Sequence, residues 1–193
     1  MRAVFLDRDG VINENRPDHV KCWAEFRFLP GALDAIRRLT EAGLLICVVT
    51  NQAVINRGLV PRVTVDAINR QMVSEIERHG GRIAAVAYCP HRPEERCRCR
   101  KPQPGLILDL MARYRLEPHE CVVIGDALSD LDAGRAAGVA SILVRTGRGR
   151  EQLALALAGG RFGLTVAADL PAAVDHLLPP AGAFVWSAAG GGT

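Results

Sequence analysis

Short apolar runs alternate with longer stretches of helical period along this chain, and that alternation predicts its architecture. Runs at Ala3–Leu6, Leu44–Val49, Ile83–Tyr88, Cys121–Ile124, Ser141–Val144 and, more weakly, Gly163–Val166 read as strands. Most are apolar throughout, the pattern of parallel strands covered on both faces. Between them, Leu33, Ile36 and Leu39 begin a helix that stops at Gly43. Val65, Ile68, Met72, Val73 and Ile76 form a helical stripe ending at Gly80-Gly81. Leu106, Leu108, Leu110 and Met111 suit a third helix, and Leu131 to Ala137 a fourth closed by Gly138. Strands alternating with helices in this way indicate a doubly wound α/β fold with a mainly parallel sheet.

Composition narrows the picture only slightly. With 193 residues, 49% apolar and 23% charged, the chain has the profile of a globular protein and excludes disordered, collagenous and disulfide-dense classes. One domain over residues 1–178 is expected, followed by a loosely held tail, 179–193, rich in Pro, Gly and Ala. Twenty-four Lys and Arg against 21 Asp and Glu leave +3, too mild to argue for nucleic acid. No apolar run approaches the roughly 20 residues that span a bilayer. Asp7, Arg8 and Asp9 cut the first run short, which argues against a signal peptide. A cytoplasmic location follows as an expectation, and there the six cysteines should be thiols or metal ligands.

The chemistry lies at the strand ends. Asp7 and Asp9 follow the first run, Thr50, Asn51 and Gln52 the second, and Gly125-Asp126 the fourth, with Asp130 one helical turn later. Open α/β sheets bind ligands outside the carboxyl ends of their strands, so this is the active edge. A lone Asp-x-Asp-Gly is as easily a solvated turn; several stations in order, each ending a strand, are harder to obtain by chance. Like charges packed together need a cation, and a few carboxylates suit Mg²⁺.

A second cluster, Cys89, His91, Cys97 and Cys99, offers three thiolates and an imidazole, a closed tetrahedral set for structural Zn²⁺. Arginines, glutamates and prolines surround it, so no core could absorb these cysteines as plain hydrophobes. The loop, 89–101, ends in Arg100-Lys101, and a clamped backbone there would deliver two cations to the acids. Cys22, Cys47 and Cys121 stand singly and receive no role.

The four stations Asp7/Asp9, Thr50, Lys101 and Asp126/Asp130 together resemble the haloacid dehalogenase superfamily of phosphotransferases, from about Asp7 to Arg145. The resemblance implies a covalent mechanism: Asp7 as nucleophile, Asp9 as general acid and base, Thr50 and Asn51 bonded to the transferring phosphoryl group, and Lys101 as countercharge. It also implies Mg²⁺ held by Asp7, Asp126 and the Asp9 main-chain carbonyl, with Asp130 orienting Lys101 or a metal-bound water. Cys-Pro-His to Cys-Arg-Lys-Pro is similar to the capless bacterial branch with a zinc loop, which contains phosphatases of heptose bisphosphate and of histidinol phosphate.

Within that branch the loop arginines favour a sugar bisphosphate over histidinol phosphate, whose ammonium they would repel. Arg100 would contact the second phosphate or the hydroxyls, and Asn15, Arg16, Asp18 and Gln52 are further substrate-binding candidates. Ala127 stands where the heptose enzymes commonly carry lysine, which removes one cation. A terminal phosphatase on nucleic acid is the alternative partner class, disfavoured because Glu94 and Glu95 interrupt the basic loop and no aromatic interleaves with it. No protein partner is implied.

Overall fold

The computed structural model describes residues 1–178, so the expectation for the 179–193 tail lies outside the described residues. The strands are β1 (Ala3–Leu6), β2 (Leu45–Asn51), β3 (Ala85–Cys89), β4 (Cys121–Gly125), β5 (Ala140–Val144) and β6 (Thr165–Ala167). The helices are α1 (Ala32–Glu41), α2 (Arg62–Arg78), α3 (Gly105–Tyr114), α4 (Leu128–Ala136), α5 (Gly149–Ala158) and α6 (Leu170–Leu177). All strand pairs are parallel, in the order β3-β2-β1-β4-β5-β6. The order reverses at β1, which therefore sits centrally with β2 on one side and β4 on the other.

Alternate residues of each strand face opposite sides, and the core divides accordingly. Val4, Leu6, Ile46, Val48, Val122 and Ile124 pack against α1, α2 and α6 through Ile36, Leu39, Ile68, Met72 and Val174. Ala3, Phe5, Cys47, Val49, Cys121 and Val123 pack against α3 and α4 through Ile107, Leu110, Met111 and Ala133. Both faces are covered, which is why the strands read as unbroken apolar runs. Strands expected to stop at Val49 and Tyr88 continue to Asn51 and Cys89, because the register carries Thr50 and Asn51 alongside Tyr88 and Cys89. Helices α5 and α6 have no counterpart in the sequence reading. The first buries only Gly149 and Ala156, too thin a stripe to stand out. The second is short, capped by Asp169, whose carboxylate accepts the Ala172 N–H at 2.9 Å.

No additional domain interrupts the sheet among the described residues. Between β1 and α1 lies a compact segment in which Trp23 stacks on Phe26 at 4.9 Å and Phe28 meets Phe26 edge-on at 5.0 Å. No helix among the described residues is long and apolar enough to cross a membrane.

Candidate active site

Because Leu6 pairs with Ile124, the chains leaving β1 and β4 emerge side by side, and the Asp7 N–H donates to the Ile124 carbonyl at 2.9 Å. Asp7, Asp126 and Asp130 each place a carboxylate oxygen within 4.8 Å of the others. All three are buried. The sheet brings β2 up on the other side, so Thr50 and Lys101 complete the floor of a cavity of about 360 Å³.

Lys101 is the hinge of this floor. Its ammonium lies 2.9 Å from Asp7 Oδ1 and 2.5 Å from Asp130 Oδ1, and donates to the Val49 carbonyl at 2.7 Å. Burial would strip the proton, but Asp130 and Asp7 outweigh it and hold the lysine charged. Asn51 fixes the backbone at the same residue: its amide donates to the Lys101 carbonyl and accepts the Lys101 N–H, both at 3.1 Å. Asp130 accepts the Ala127 N–H at 3.0 Å with its other oxygen, so one carboxylate caps α4 and aims the lysine.

Burial raises Asp7 to about 6 against the pull of Lys101, helped by Asp130 and Asp9. Burial likewise raises Asp126 to about 7, with Asp7 and Asp130 adding to it. Asp126 Oδ2 accepts the Arg148 N–H at 2.8 Å, while Asp126 Oδ1 is buried with no hydrogen-bond partner. Gly10 and Gly147 wall this side: a Cβ on either would lie 2.1–2.2 Å from Asp126 Oδ2. Three buried carboxylates with one ammonium among them, and a spare oxygen on Asp126, fit a small, hard divalent cation.

Asp9 is treated differently. Arg8 reaches both of its oxygens at 3.0–3.1 Å, Asn13 donates at 2.9 Å and Gln52 at 2.7 Å. Burial works in the opposite direction, but these four bonds outweigh it and depress the Asp9 carboxyl.

Several expected substrate contacts are placed otherwise. Asp18 is drawn outward to Arg16 and Lys21 and does not line the cavity. Gln52 lines it, but its amide is committed to Asp9 and to Thr50. Asn51 also lines it, with its amide bonded to the Lys101 backbone. Asn15, Arg16 and Arg100 do line the cavity. His19 lines it too, and Arg57, Arg148 and the buried Arg8 belong to the site and were missed. For Arg8 a signal existed: it lies between two acids of the first motif. The Arg57 and Arg148 positions depend on loops whose paths no periodicity describes.

The second cluster assembles as its spacing implied. Cys89 Sγ lies 3.5 Å from Cys97 Sγ, 3.2 Å from Cys99 Sγ and 3.4 Å from His91 Nδ1. His91 Nδ1 is 3.3 Å from Cys99 Sγ, and Cys99 lies 3.4 Å from Cys97. These are close to the edges of a tetrahedron with metal–sulfur bonds of about 2.3 Å. Burial resists ionisation of Cys97, but bonds from Cys99 and Cys89 outweigh it and bring that thiol to about 7; Cys89 and Cys99 are pushed up instead. Without a cation the cluster tolerates one thiolate; all three need a metal.

A parallel sheet with buried carboxylates clustered at one edge, a buried lysine against them and a pocket suited to a cation is the arrangement of a phosphoryl-transfer enzyme. A model of the HAD-hydrolase-like family matches residues 98–173. The chain is 41% identical over 181 residues to the D-glycero-beta-D-manno-heptose-1,7-bisphosphate 7-phosphatase of Bordetella bronchiseptica, covering 94% of this chain and all of that one. The crystal structure of that species' D,D-heptose 1,7-bisphosphate phosphatase, complexed with magnesium and phosphate, superposes with a TM-score of 0.88 over 94% of this chain and 100% of its own. A D-glycero-alpha-D-manno-heptose-1,7-bisphosphate 7-phosphatase of Mycobacterium tuberculosis is 43% identical over 132 residues, 67% of this chain and 70% of its own. The chain belongs to the haloacid dehalogenase-like hydrolases and is a phosphatase.

Proposed function

We propose that this enzyme removes the 7-phosphate of D-glycero-D-manno-heptose 1,7-bisphosphate in the cytoplasm, using Mg²⁺ for catalysis and Zn²⁺ for structure, with residues 1–178 acting as one domain. The observation that carries the substrate assignment is the cavity's charge layout. Asp7 and Lys101 form the buried floor, while Arg16, Arg57 and Arg100 stand higher on its walls. One phosphate can meet the floor while a second, on the same small molecule, meets guanidinium groups. Arg57, whose guanidinium sits 3.3 Å from His19 Nε2 in the same cavity lining, supplies a cation in place of the one absent at Ala127. The heptose bisphosphate phosphatases that match this chain along its length support the same reading.

In the mechanism, Asp7 attacks phosphorus in line, forming an aspartyl phosphate and releasing the sugar C7 oxygen. Asp9 protonates that oxygen as it leaves, then takes a proton from the water that hydrolyses the intermediate. The form held by Arg8 is the ionised one, suited to the second step; the incoming phosphate's negative charge raises the proton affinity needed for the first. Thr50 donates to the transferring phosphoryl oxygens, and Lys101 balances their charge. Asp7, Asp126 and the Asp9 carbonyl would hold Mg²⁺, which when bound screens the nucleophile from the phosphate and offsets charge on its oxygens.

Nucleic acid is not favoured as substrate. Two cations of the basic loop are engaged by acids, Arg98 by Asp109 at 3.0 Å and Arg92 by Glu95 at 3.5 Å.

The substrate test is phosphate release from both anomers of heptose 1,7-bisphosphate, histidinol phosphate, p-nitrophenyl phosphate and a 3′-phosphorylated oligonucleotide. A heptose bisphosphate should exceed every other by at least about 100-fold in kcat/KM, a difference of about 2.7 kcal/mol. Arg57→Ala and Arg100→Ala should each raise KM for it about tenfold, the worth of one charge-assisted bond, and leave p-nitrophenyl phosphate unchanged. Preference for histidinol phosphate or the oligonucleotide would sink the assignment.

Stability should report the cation site independently. Folding raises Asp7 and Asp126 above the ordinary aspartate value of 3.8, to about 6 and about 7. A carboxyl raised by folding contributes stability that is present below its unfolded pKa and lost as pH rises through the folded one. The metal-free enzyme should therefore melt lower at pH 8 than at pH 5. Millimolar Mg²⁺ should restore the melting temperature at pH 8 and do little at pH 5. An Asp126→Asn protein should lose part of the pH dependence, that of Asp7 remaining, and most of the Mg²⁺ response, which calorimetry at the two pH values would show.

A further inference from the structure

The guanidinium of Arg8 is among the most deeply enclosed groups of the molecule, 1% exposed, and the mechanism above gives it no chemistry of its own. A buried charge is costly unless fully engaged, so its engagements indicate what it is for. Three elements hold it. Nη2 donates to both carboxylate oxygens of Asp9, Nη1 donates to Asn69 Oδ1 at 3.0 Å, and the guanidinium lies 6.0 Å from the centre of the Phe26 ring.

The geometry is unusual for two consecutive residues, whose side chains ordinarily diverge. For Arg8 to grip the carboxylate of its own neighbour, its long chain must fold back, and only an anchor at the far end keeps it there. Asn69 is that anchor. It occurs in the apolar stripe of α2, among Val65, Ile68, Met72 and Ile76, and is itself 5% exposed. A polar residue in that stripe gains nothing from the core, and its carbonyl oxygen has one partner, Arg8.

We propose that Asn69 and Arg8 form a relay that positions the Asp9 carboxylate for proton transfer to the leaving oxygen, with Asn69, on a helix outside the cavity lining, a positioning residue. The inference rests on Asp9 being the general acid. Neither Arg8 nor Asn69 touches the transferring phosphoryl group in this scheme; both act by fixing where the Asp9 oxygens point. Gln52 and Asn13 steady the same carboxylate from the cavity side, so losing the relay should misdirect the acid, not release it.

A misdirected acid has a signature that a damaged fold lacks. A sugar alkoxide cannot leave without a proton, whereas p-nitrophenolate leaves as a stable anion. kcat/KM reports events up to the formation of the aspartyl phosphate, the step in which the acid acts. Asn69→Leu keeps the branched outline of the side chain and removes the acceptor. It should lower kcat/KM for heptose 1,7-bisphosphate about tenfold, a fraction of the roughly 10²–10⁴ that a general acid contributes, while changing that for p-nitrophenyl phosphate less than twofold. Asn69→Asp, which still presents an oxygen to Arg8, should recover most of the loss. Arg8→Met would strip Asp9 of its guanidinium partner and put the fold itself at risk, which is why the helix residue is the test. Asp9→Asn provides the reference and should show the same substrate selectivity with a larger amplitude. Equal losses on both substrates with Asn69→Leu, or no loss on either, would overturn the relay while Asp9→Asn remains selective. If Asp9→Asn itself lowers both substrates equally, the premise falls and the relay with it.

Discussion

Replacing Asp7 with asparagine should reduce phosphate release on the order of 10⁴-fold or more, with the folded protein intact. Asparagine has nearly the shape of aspartate but cannot attack phosphorus, and removing a nucleophile ordinarily removes the whole covalent route. The loss should be the same for every substrate, since each must pass through the bond from Asp7 to phosphorus. Stability should change little. Asp7 gives up its ion pair with Lys101 at 2.9 Å, but the Asp130 partner of that lysine remains. The substitution also removes a carboxylate whose burial had raised it to about 6. Acid quench of the working enzyme should trap an acyl phosphate that hydroxylamine releases, and the variant should yield none. Activity that survives the substitution would exclude the aspartyl phosphate and leave direct attack by water.

The second large effect should come from the cysteine cluster, although it makes no contact with the reacting atoms. The loop from Cys89 to Lys101 comprises thirteen residues, many of them charged. Ordering it costs roughly 13–26 kcal/mol at about 1–2 kcal/mol per residue. Its hydrogen bonds, at about 1 kcal/mol each, cannot offset that. A structural zinc, at about 10–16 kcal/mol, is the one contribution of comparable size. Cys99→Ser should therefore release the zinc, broaden thermal unfolding and lower kcat by about 100-fold, because Lys101 two residues on loses its fixed backbone. Asn51 and Val49 hold the lysine from the β2 side, so the loss should stop short of that of Asp7→Asn. Metal analysis should find about one zinc per chain in the unsubstituted enzyme and none in the variant, and added Mg²⁺ should not rescue activity. Full activity without zinc would show that the loop orders itself.

Much of this was legible in the chain because the chemistry is local in sequence. Asp7 and Asp9 sit two residues apart at the end of a strand, so their placement follows from the strand alone. Three cysteines and a histidine within eleven residues can close on one ion whatever the rest of the fold does. The parallel sheet was legible for a similar reason: strands buried on both faces must be apolar along their covered length, and β1, β4 and β2 as far as Val49 are.

What the residues alone could not decide was direction. Asn51 follows Thr50 and was expected to face the phosphoryl group, yet its amide is drawn into paired bonds with the Lys101 backbone, fifty residues away. Gln52 is turned onto Asp9, and Asp18 is turned outward by Arg16 and Lys21. In each case a polar group of no fixed direction takes the nearest complementary charge or amide, and which one is nearest depends on loops from other strands. Arg8 is the sharpest instance. Its place between two aspartates was visible in the sequence, but only the packing of α2 against the sheet shows that Asn69 reaches it. Arg57 and Arg148 likewise join the cavity through loop paths. The sequence by itself thus determined the strand ends and the ligand types they carry, because periodicity and covalent spacing dictate both. The tertiary structure alone decided which charges compensate one another, because ion pairs and hydrogen bonds act through space over a few ångströms and are indifferent to separation along the chain.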